Sequence, residues 1–440
     1  MGSILITGGT VVDPASQRQG AFDILIVDGK IARVCGAGEA GEADETIDAG
    51  GCWVVPGLID MHVHLREPGY EYKETVQTGA QAAVAGGFTA VACMANTNPV
   101  NDTGAVTKYI IEKSVAADLA RVYPIGAVSV GLQGERLAEI GEMREAGIVA
   151  VSDDGRPIMD SALMRHALEY SAMFDLAVIA HEEDLALAGE GCMNEGPTSF
   201  RLGLKGMPAA AEEAMVARDI ALLERTGGRL HIAHVSTAGS VDLVRRAKAR
   251  GLAVTAEVTP HHFSLTEEAV GDYDTNAKMA PPLRLSSDVQ ALLEGLRDGT
   301  IDVIATDHAP HHHDEKDVEF DCAAKGIVGL ETALPLCLAL VREQGLAIET
   351  LIRAMSPNPA RVLGVAGGNL AEGAPADVTV IDPHATWEVE PERFQSKSRN
   401  TPFAGWQMTG QARATIVGGV VKWRMLEPAA NGRRKRSATR

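Results

Sequence analysis

Between residues 57 and 307 short apolar runs alternate with amphipathic stretches, and this rhythm constrains the fold more than any other feature. Runs at 57–64, 88–94, 121–129, 147–153, 174–181, 229–235, 252–259 and 301–307 read as strands. The stretches at 73–85, 104–118, 134–145, 160–173, 209–226, 238–250 and 286–298 carry apolar residues at helical spacing. Strands and helices alternating in this way predict an α/β fold, a closed (β/α)8 barrel of the TIM type. A doubly wound open sheet is the rival. Against it, no glycine-rich phosphate loop follows the first run, and polar residues end many of the runs, not a single switch point.

The flanks have a different character. Residues 4–55 are short strand-like runs with turn punctuation. Ile24-Leu25-Ile26-Val27 and Lys30-Ile31-Ala32-Arg33-Val34 flank Asp28-Gly29, a pair that favours the primed turns of hairpins. The same style returns after about 366, in 376–382 and 414–423. Segments 1–55 and 366–424 are therefore expected to build one small β-sandwich beside a barrel spanning 56–365. A solvated basic tail, 425–440, ends the chain with Arg433-Arg434-Lys435-Arg436. Net charge is 40 − 59 = −19, which argues against nucleic acid as the main partner. No run reaches the ~20 apolar residues of a membrane span, and Met1–Gly8 lacks the basic start of a signal peptide. The six cysteines are scattered without a CxxC pair, as expected of buried reduced thiols in a cytoplasmic protein.

Reactive groups of a barrel belong at the C-terminal ends of its strands. The first run ends Met61-His62-Val63-His64-Leu65-Arg66. Residues two apart in a strand share a face, so His62 and His64 converge, and paired imidazoles suit a divalent ion such as zinc. The fourth run ends Ser152-Asp153-Asp154-Gly155, the fifth Ala180-His181, the sixth His231-Ile232-Ala233-His234 and the eighth Thr306-Asp307-His308-Ala309-Pro310-His311. Imidazoles and carboxylates gathered there can hold one or two zinc ions and leave a place for water, which the metal acidifies to supply hydroxide as a nucleophile. Asp307 can take that proton and pass it to a leaving nitrogen. Alternation does not decide which of Asp153 and Asp154 faces the metal, because strand ends bulge. His261 and His262 read as structural residues or supports of the site, His312 and His313 as exposed loop residues, and Asp314-Glu315-Lys316-Asp317 as a mobile polar loop.

These residues lie in longer motifs. They are Pro56-Gly57-Leu58-Ile59-Asp60-Met61-His62-Val63-His64-Leu65-Arg66-Glu67-Pro68-Gly69, Met94-Ala95-Asn96-Thr97-Asn98-Pro99, Ser152-Asp153-Asp154-Gly155, Ala305-Thr306-Asp307-His308-Ala309-Pro310-His311, Gly326-Ile327-Val328-Gly329-Leu330-Glu331-Thr332 and Ser356-Pro357-Asn358-Pro359-Ala360. With them the chain resembles the amidohydrolase superfamily and, within it, the dihydroorotase family of the bacterial class I type. The resemblance implies a cyclic amidohydrolase that reversibly converts (S)-dihydroorotate to N-carbamoyl-L-aspartate in pyrimidine (UMP) biosynthesis. It implies metal ligation by His62, His64, His181, His234 and Asp307. It also implies that Asp154 stands where hydantoinases carry a carbamylated lysine, and residues 147–154 contain no lysine. Arg66, Asn96 and His311 are implied as substrate contacts; an arginine fork suits the carboxylate of dihydroorotate. A homodimer, and assembly with aspartate transcarbamoylase, are implied partners.

Two departures bear on the substrate. Ala280 precedes Pro281-Pro282-Leu283-Arg284 where many relatives have an asparagine, and Ala323-Ala324-Lys325-Gly326 replaces a common Pro-Phe-Gly loop. A hydantoinase or allantoinase activity is the first rival reading. A silent scaffold for the transcarbamoylase is the second, and the full ligand set argues against it.

Overall fold

The computed structural model describes residues 2–425; the basic tail beyond Met425 lies outside the described residues. Eight parallel strands form the barrel: Leu58–Val63, Phe88–Cys93, Arg121–Pro124, Ala150–Ser152, Ala177–Ala180, Arg229–Ile232, Val254–Val258 and Val303–Ile304. Backbone bonds from Gly126 N to Ala150 O (3.0 Å) and from Ser152 N to Gly126 O (2.8 Å) join the third strand to the fourth. His64 N to His308 O (2.8 Å) joins the first strand to the chain after the eighth and closes the ring. The expected (β/α)8 barrel is thus the observed one. The strands are shorter than the apolar runs that announced them. In the eighth, the backbone leaves the strand after Ile304 and reaches φ 46° at Asp307.

Residues two apart fall into two sets. Ile59, Met61, Ala90, Ala92, Ile179, Val303 and Ala305 pack inside the barrel, and Val91, Cys93, Val178, Ile232 and Val258 pack outward against the helices. Local chemistry sets where those helices begin. Thr75 and Thr78 form a reciprocal capping box ahead of Val76–Ala85. The Asp160 carboxylate accepts from Ala162 N and Leu163 N ahead of Ser161–Ala172.

Both chain ends meet in one nine-stranded sheet. Trp53–Pro56 lies between Thr10–Asp13 and Val378–Glu388, and so brings N- and C-terminal strands together. Ile4, Ile6, Ile24, Ile26 and Ile47 pack with Val54, Val378, Val380 and Ile416 as its core. The hairpin at Asp28-Gly29 has φ 49° and 79°, both positive as a type I′ turn requires. The run 414–423, expected as one strand, is instead a second hairpin: Gln407–Val417 and Val420–Arg424 turn at Gly418-Gly419, both with positive φ. Thr379 Oγ1 donates to Gly87 O (2.7 Å) and Thr415 Oγ1 to Val84 O (2.7 Å), which seats the sheet against the start of the barrel, away from the strands' C-terminal ends.

Two further expectations need correction. The polar segment after His311 is a one-turn helix, His313–Lys316, capped by His312. Lys316 Nζ holds it down by donating to the carbonyls of Ala324 (2.8 Å) and Gly326 (3.1 Å). All six cysteines are free thiols, but Cys322 is exposed while the other five are buried.

Candidate active site

Six side chains from five strand ends converge on one centre, and Asp154 lies in its middle. Its Oδ1 is 3.5 Å from His62 Nε2, 3.4 Å from His181 Nδ1 and 3.3 Å from His234 Nε2, and its Oδ2 is 3.4 Å from His64 Nε2. Asp307 Oδ1 lies 3.0 Å from His64 Nε2 and 3.4 Å from His62 Nε2. Donor atoms of His62, His64 and Asp307, and those of His62, Asp154 and His234, each fall within 4.8 Å of one another. Asp153 goes elsewhere. It accepts from Val128 N (2.8 Å) and Ser129 N (3.0 Å) and from the Ser129 hydroxyl, so it ties two loops together.

The outer bonds of the histidines fix which nitrogen faces the centre. A carboxylate or an amide oxygen can only accept, so His62 donates from Nδ1 to Glu257 (2.5 Å), His64 from Nδ1 to Asn96 Oδ1 (2.9 Å) and His181 from Nε2 to Glu183 (3.3 Å). Each of these bonds leaves the other ring nitrogen turned inward, where it would be free to bind a metal that displaces its proton, the arrangement of metal-binding imidazoles backed by acceptors. His62 Nε2 is buried with no hydrogen-bond partner, and His181 Nδ1 lies 2.9 Å from His234 Nε2. Two ring nitrogens facing each other and an orphaned buried nitrogen are what a shared cation would satisfy, so the residues fit a metal ion.

The electrostatics agree. Burial opposes charge on His62, yet Asp307, Glu257 and Asp154 outweigh it and hold its pKa well above the ordinary value. His181, buried beside Asp154 and Glu183, is raised to about 9. Burial works against ionised Asp154 and Asp307 as well, but His62 and its neighbours hold both carboxyls below their usual range. In the absence of metal, protons answer a field built for a cation. Three residues here adopt left-handed backbone, Arg66 (φ 61°), His234 (φ 31°) and Asp307 (φ 46°). Side-chain-bearing residues pay for that conformation only where the surroundings impose it.

Of the expected substrate contacts, Asn96 touches His64 directly, and Arg66 and His311 lie beside each other. Half-buried Arg66 donates from Nε to Pro310 O (3.1 Å), and its Nη2 lies 3.5 Å from His311 Nε2. His311 donates from Nε2 to Lys325 O (3.0 Å) and faces Lys73 and Glu315 through Nδ1. Burial, with Arg66 and Lys73 beside it, lowers its pKa to about 3, so it is neutral. A cavity of about 430 Å³ opens next to it, lined by Tyr72, His312, Lys316, Arg399 and Asn400. Asn96 holds His64 through its oxygen and sits 3.7 Å from where a Cβ on Gly155 would be. His261 and His262 begin the short helix Pro260–Ser264. His262 is fixed by Thr259 (2.8 Å) and Pro281 O (3.0 Å), whereas His261 Nε2 is buried without a partner.

Sequence reasoning missed the supporting carboxylates. Besides Glu257 and Glu183, Asp60 Oδ1 accepts from His62 N (3.1 Å) and Thr306 N (3.1 Å), tying the first strand to the eighth. Burial raises the Asp60 pKa to about 7. Glu74, fully buried, lies 3.4 Å from His308 Nε2 and accepts from Ser396. A charged residue inside an apolar strand, as in Val254-Thr255-Ala256-Glu257-Val258, was the available signal.

A closed barrel with four histidines and two aspartates at its strand ends defines an amidohydrolase, and the comparisons agree. Residues 200–422 match the model of the amidohydrolase family, and residues 51–240 match the dihydro-orotase-like model. L-hydantoinase from Arthrobacter aurescens superposes with a TM-score of 0.86 at 26% identity, over 96% of each chain. Dihydropyrimidinase from Brevibacillus agri, at 22% identity and TM-score 0.82 over 96% of this chain and 95% of its own, shares the fold. Sequence similarity narrows the assignment. The dihydroorotase of Geotalea daltonii is 59% identical, with the alignment spanning 95% of this chain and 99% of that protein. That of Syntrophotalea carbinolica is 56% identical over 96% and 100%. The chain belongs to the dihydroorotase family of cyclic amidohydrolases.

Proposed function

We propose that this chain hydrolyses (S)-dihydroorotate reversibly to N-carbamoyl-L-aspartate, the dihydroorotase step of pyrimidine biosynthesis. The observation that carries the reading is the convergence of four imidazoles on Asp154 with Asp307 beside them. His62, His64, Asp154, His181, His234 and Asp307 would hold the metal. The nitrogen and oxygen donor set suits zinc, and six donors suffice for one or two ions. When bound, such a metal acidifies a water toward neutrality and polarises a carbonyl oxygen.

The chain's own residues supply the rest. Arg66, half-buried and anchored by Pro310 O, offers its guanidinium to the ring carboxylate. Neutral His311 and the Asn96 amide flank that position. Asp307 accepts the proton released by the attacking water and returns it to the departing ring nitrogen; in the reverse direction it removes a proton from the ureido nitrogen. Its depressed pKa keeps it ionised at neutral pH. Ala280 offers no amide to the ring, and the carbonyl of Lys325 is engaged by His311, so polar contact to the substrate is concentrated at the carboxylate end.

We further propose the division into a barrel of 56–365 and a small domain of 1–55 with 366–424, supported by the distinct core of the terminal sheet. A cytoplasmic location is in keeping with free thiols at every cysteine. A homodimer that also assembles with aspartate transcarbamoylase rests on the resemblance alone. Among the described residues no helix is long and apolar enough to cross a membrane.

Turnover of dihydroorotate before and after chelation and metal replacement tests the reading. Activity should vanish on chelation and return with zinc. Full activity in metal-free protein, or a preference for an uncharged hydantoin, overturns it.

A further inference from the structure

The seventh strand contributes no ligand to the centre just described, yet its Glu257 touches two of the candidate ligands, His62 and His234. Oε1 accepts from His62 Nδ1 (2.5 Å) and from His234 N (3.3 Å), and Oε2 accepts from His231 Nε2 (3.1 Å). One carboxylate thereby grips the ring of a first-strand histidine and the backbone of a sixth-strand histidine. Thr255, two residues earlier on the same face of the strand, lies 2.8 Å from His231 Nδ1. His231 is consequently held at both nitrogens, and it holds Glu257 in turn. Glu257 and His231 are fully buried, so no water competes for these bonds.

We infer that Glu257 is a positioning residue. It fixes the tautomer of His62 that turns Nε2 to the metal, and it locks His234 into its left-handed backbone, so that the two ligands shared by the donor cluster around Asp154 are set in advance. Two features of the geometry support this over a role confined to burial. The bond to His62 is made on the nitrogen opposite the orphaned Nε2. The bond to His234 is made at the residue whose φ of 31° only an imposed contact sustains. An isosteric amide removes the negative charge and offers one acceptor oxygen in place of two, so His62 and His231 can no longer both donate to it.

The inference rests on the reading of His62 and His234 as metal ligands, and the experiment separates the two. Chelator-stripped wild type, Glu257→Gln, Glu257→Asp and His62→Ala are titrated with Co2+ alone, against a chromophoric chelator, after circular dichroism has selected the folded variants. In parallel, 15N-imidazole spectra of zinc-loaded protein report which ring nitrogen of His62 keeps its proton. Co2+ affinity should fall about 10–100-fold in Glu257→Gln, with the Nδ1–H signature of His62 lost, KM for dihydroorotate unchanged, and kcat restored by excess metal. Glu257→Asp, which keeps both acceptors on a shorter arm, should fall between. Wild-type Co2+ affinity in folded Glu257→Gln overturns the positioning role. If Glu257→Gln fails to fold, zinc bound through Nδ1 of His62, with Nε2–H retained, in wild type overturns it equally. Unchanged Co2+ binding in His62→Ala instead overturns the metal-centre reading itself.

Discussion

Replacing Asp307 by Asn isolates the proton transfer from metal binding, because the two substituents have the same shape. The Asn oxygen can keep its place beside His64 Nε2 (3.0 Å in the Asp) as a neutral donor atom, and the second donor group, His62 with Asp154 and His234, does not include Asp307 at all. Metal should therefore remain bound. What is lost is a base: an amide has no affinity for the water's proton at any working pH. General acid–base catalysis contributes about 10²–10⁴-fold, or about 3–5 kcal/mol of barrier at about 1.4 kcal/mol per decade. The assay is steady-state turnover in both directions with metal content measured on the same sample. We expect kcat to drop by about two to four decades each way, with KM nearly unchanged and metal retained. A variant that keeps metal and turns over within about tenfold of wild type refutes the shuttle, since that loss is below the smallest effect such catalysis produces.

Three further outcomes follow from named contacts. Arg66→Met should raise KM for dihydroorotate while leaving an uncharged cyclic ureide untouched, losing about 1.5–3 kcal/mol of a charge-assisted interaction; equal losses on both substrates contradict a carboxylate contact. Asp153→Asn should lower the melting temperature yet retain metal, and Asp154→Asn should do the reverse, as read by calorimetry and metal analysis. Glu331, half-buried and accepting from Gln395 N (2.9 Å) and Ser396 N (3.1 Å), has its pKa raised to about 7 from an ordinary 4.5, chiefly by loss of hydration. The folded chain binds this proton more tightly than the unfolded one, so the stabilising contribution is whole below about pH 4.5 and is lost as pH rises through about 7. Glu331→Gln should accordingly gain thermal stability relative to wild type at pH 8 but not at pH 4.5; the same difference at both pH values contradicts the linkage.

The barrel was legible because its signal is periodic and local. Apolar runs such as Ala177–Ala180 and helical spacing such as that of Ala210–Thr226 are properties of neighbouring residues. The six central residues were legible because each ends a strand. Asp154 was chosen over Asp153 through the family resemblance and not through alternation, since the physical choice turns on Ser129 and Val128, which capture Asp153 from another loop. The supporting carboxylates were invisible for the same reason: Glu257 meets His62 across 195 residues of chain. The turn at Gly418-Gly419 carried a signal of its own, but the apolar residues on either side, Ile416-Val417 and Val420-Val421, read through it. The segment after His311 looked like a polar loop because its anchor, Lys316, is a charged residue that folds inward to carbonyls.

The seam between His64 and His308 has a consequence for biogenesis. An emerging polypeptide on the ribosome has made His62 and His64 long before Asp307 exists, and the bond that completes the ring needs both. Partial chains would present scattered imidazoles with weak, promiscuous appetite for ions, and full avidity would arrive only with the last turn of the cylinder. Capture of the metal would then act as a late latch on maturation, rewarding only molecules whose first and final staves have met.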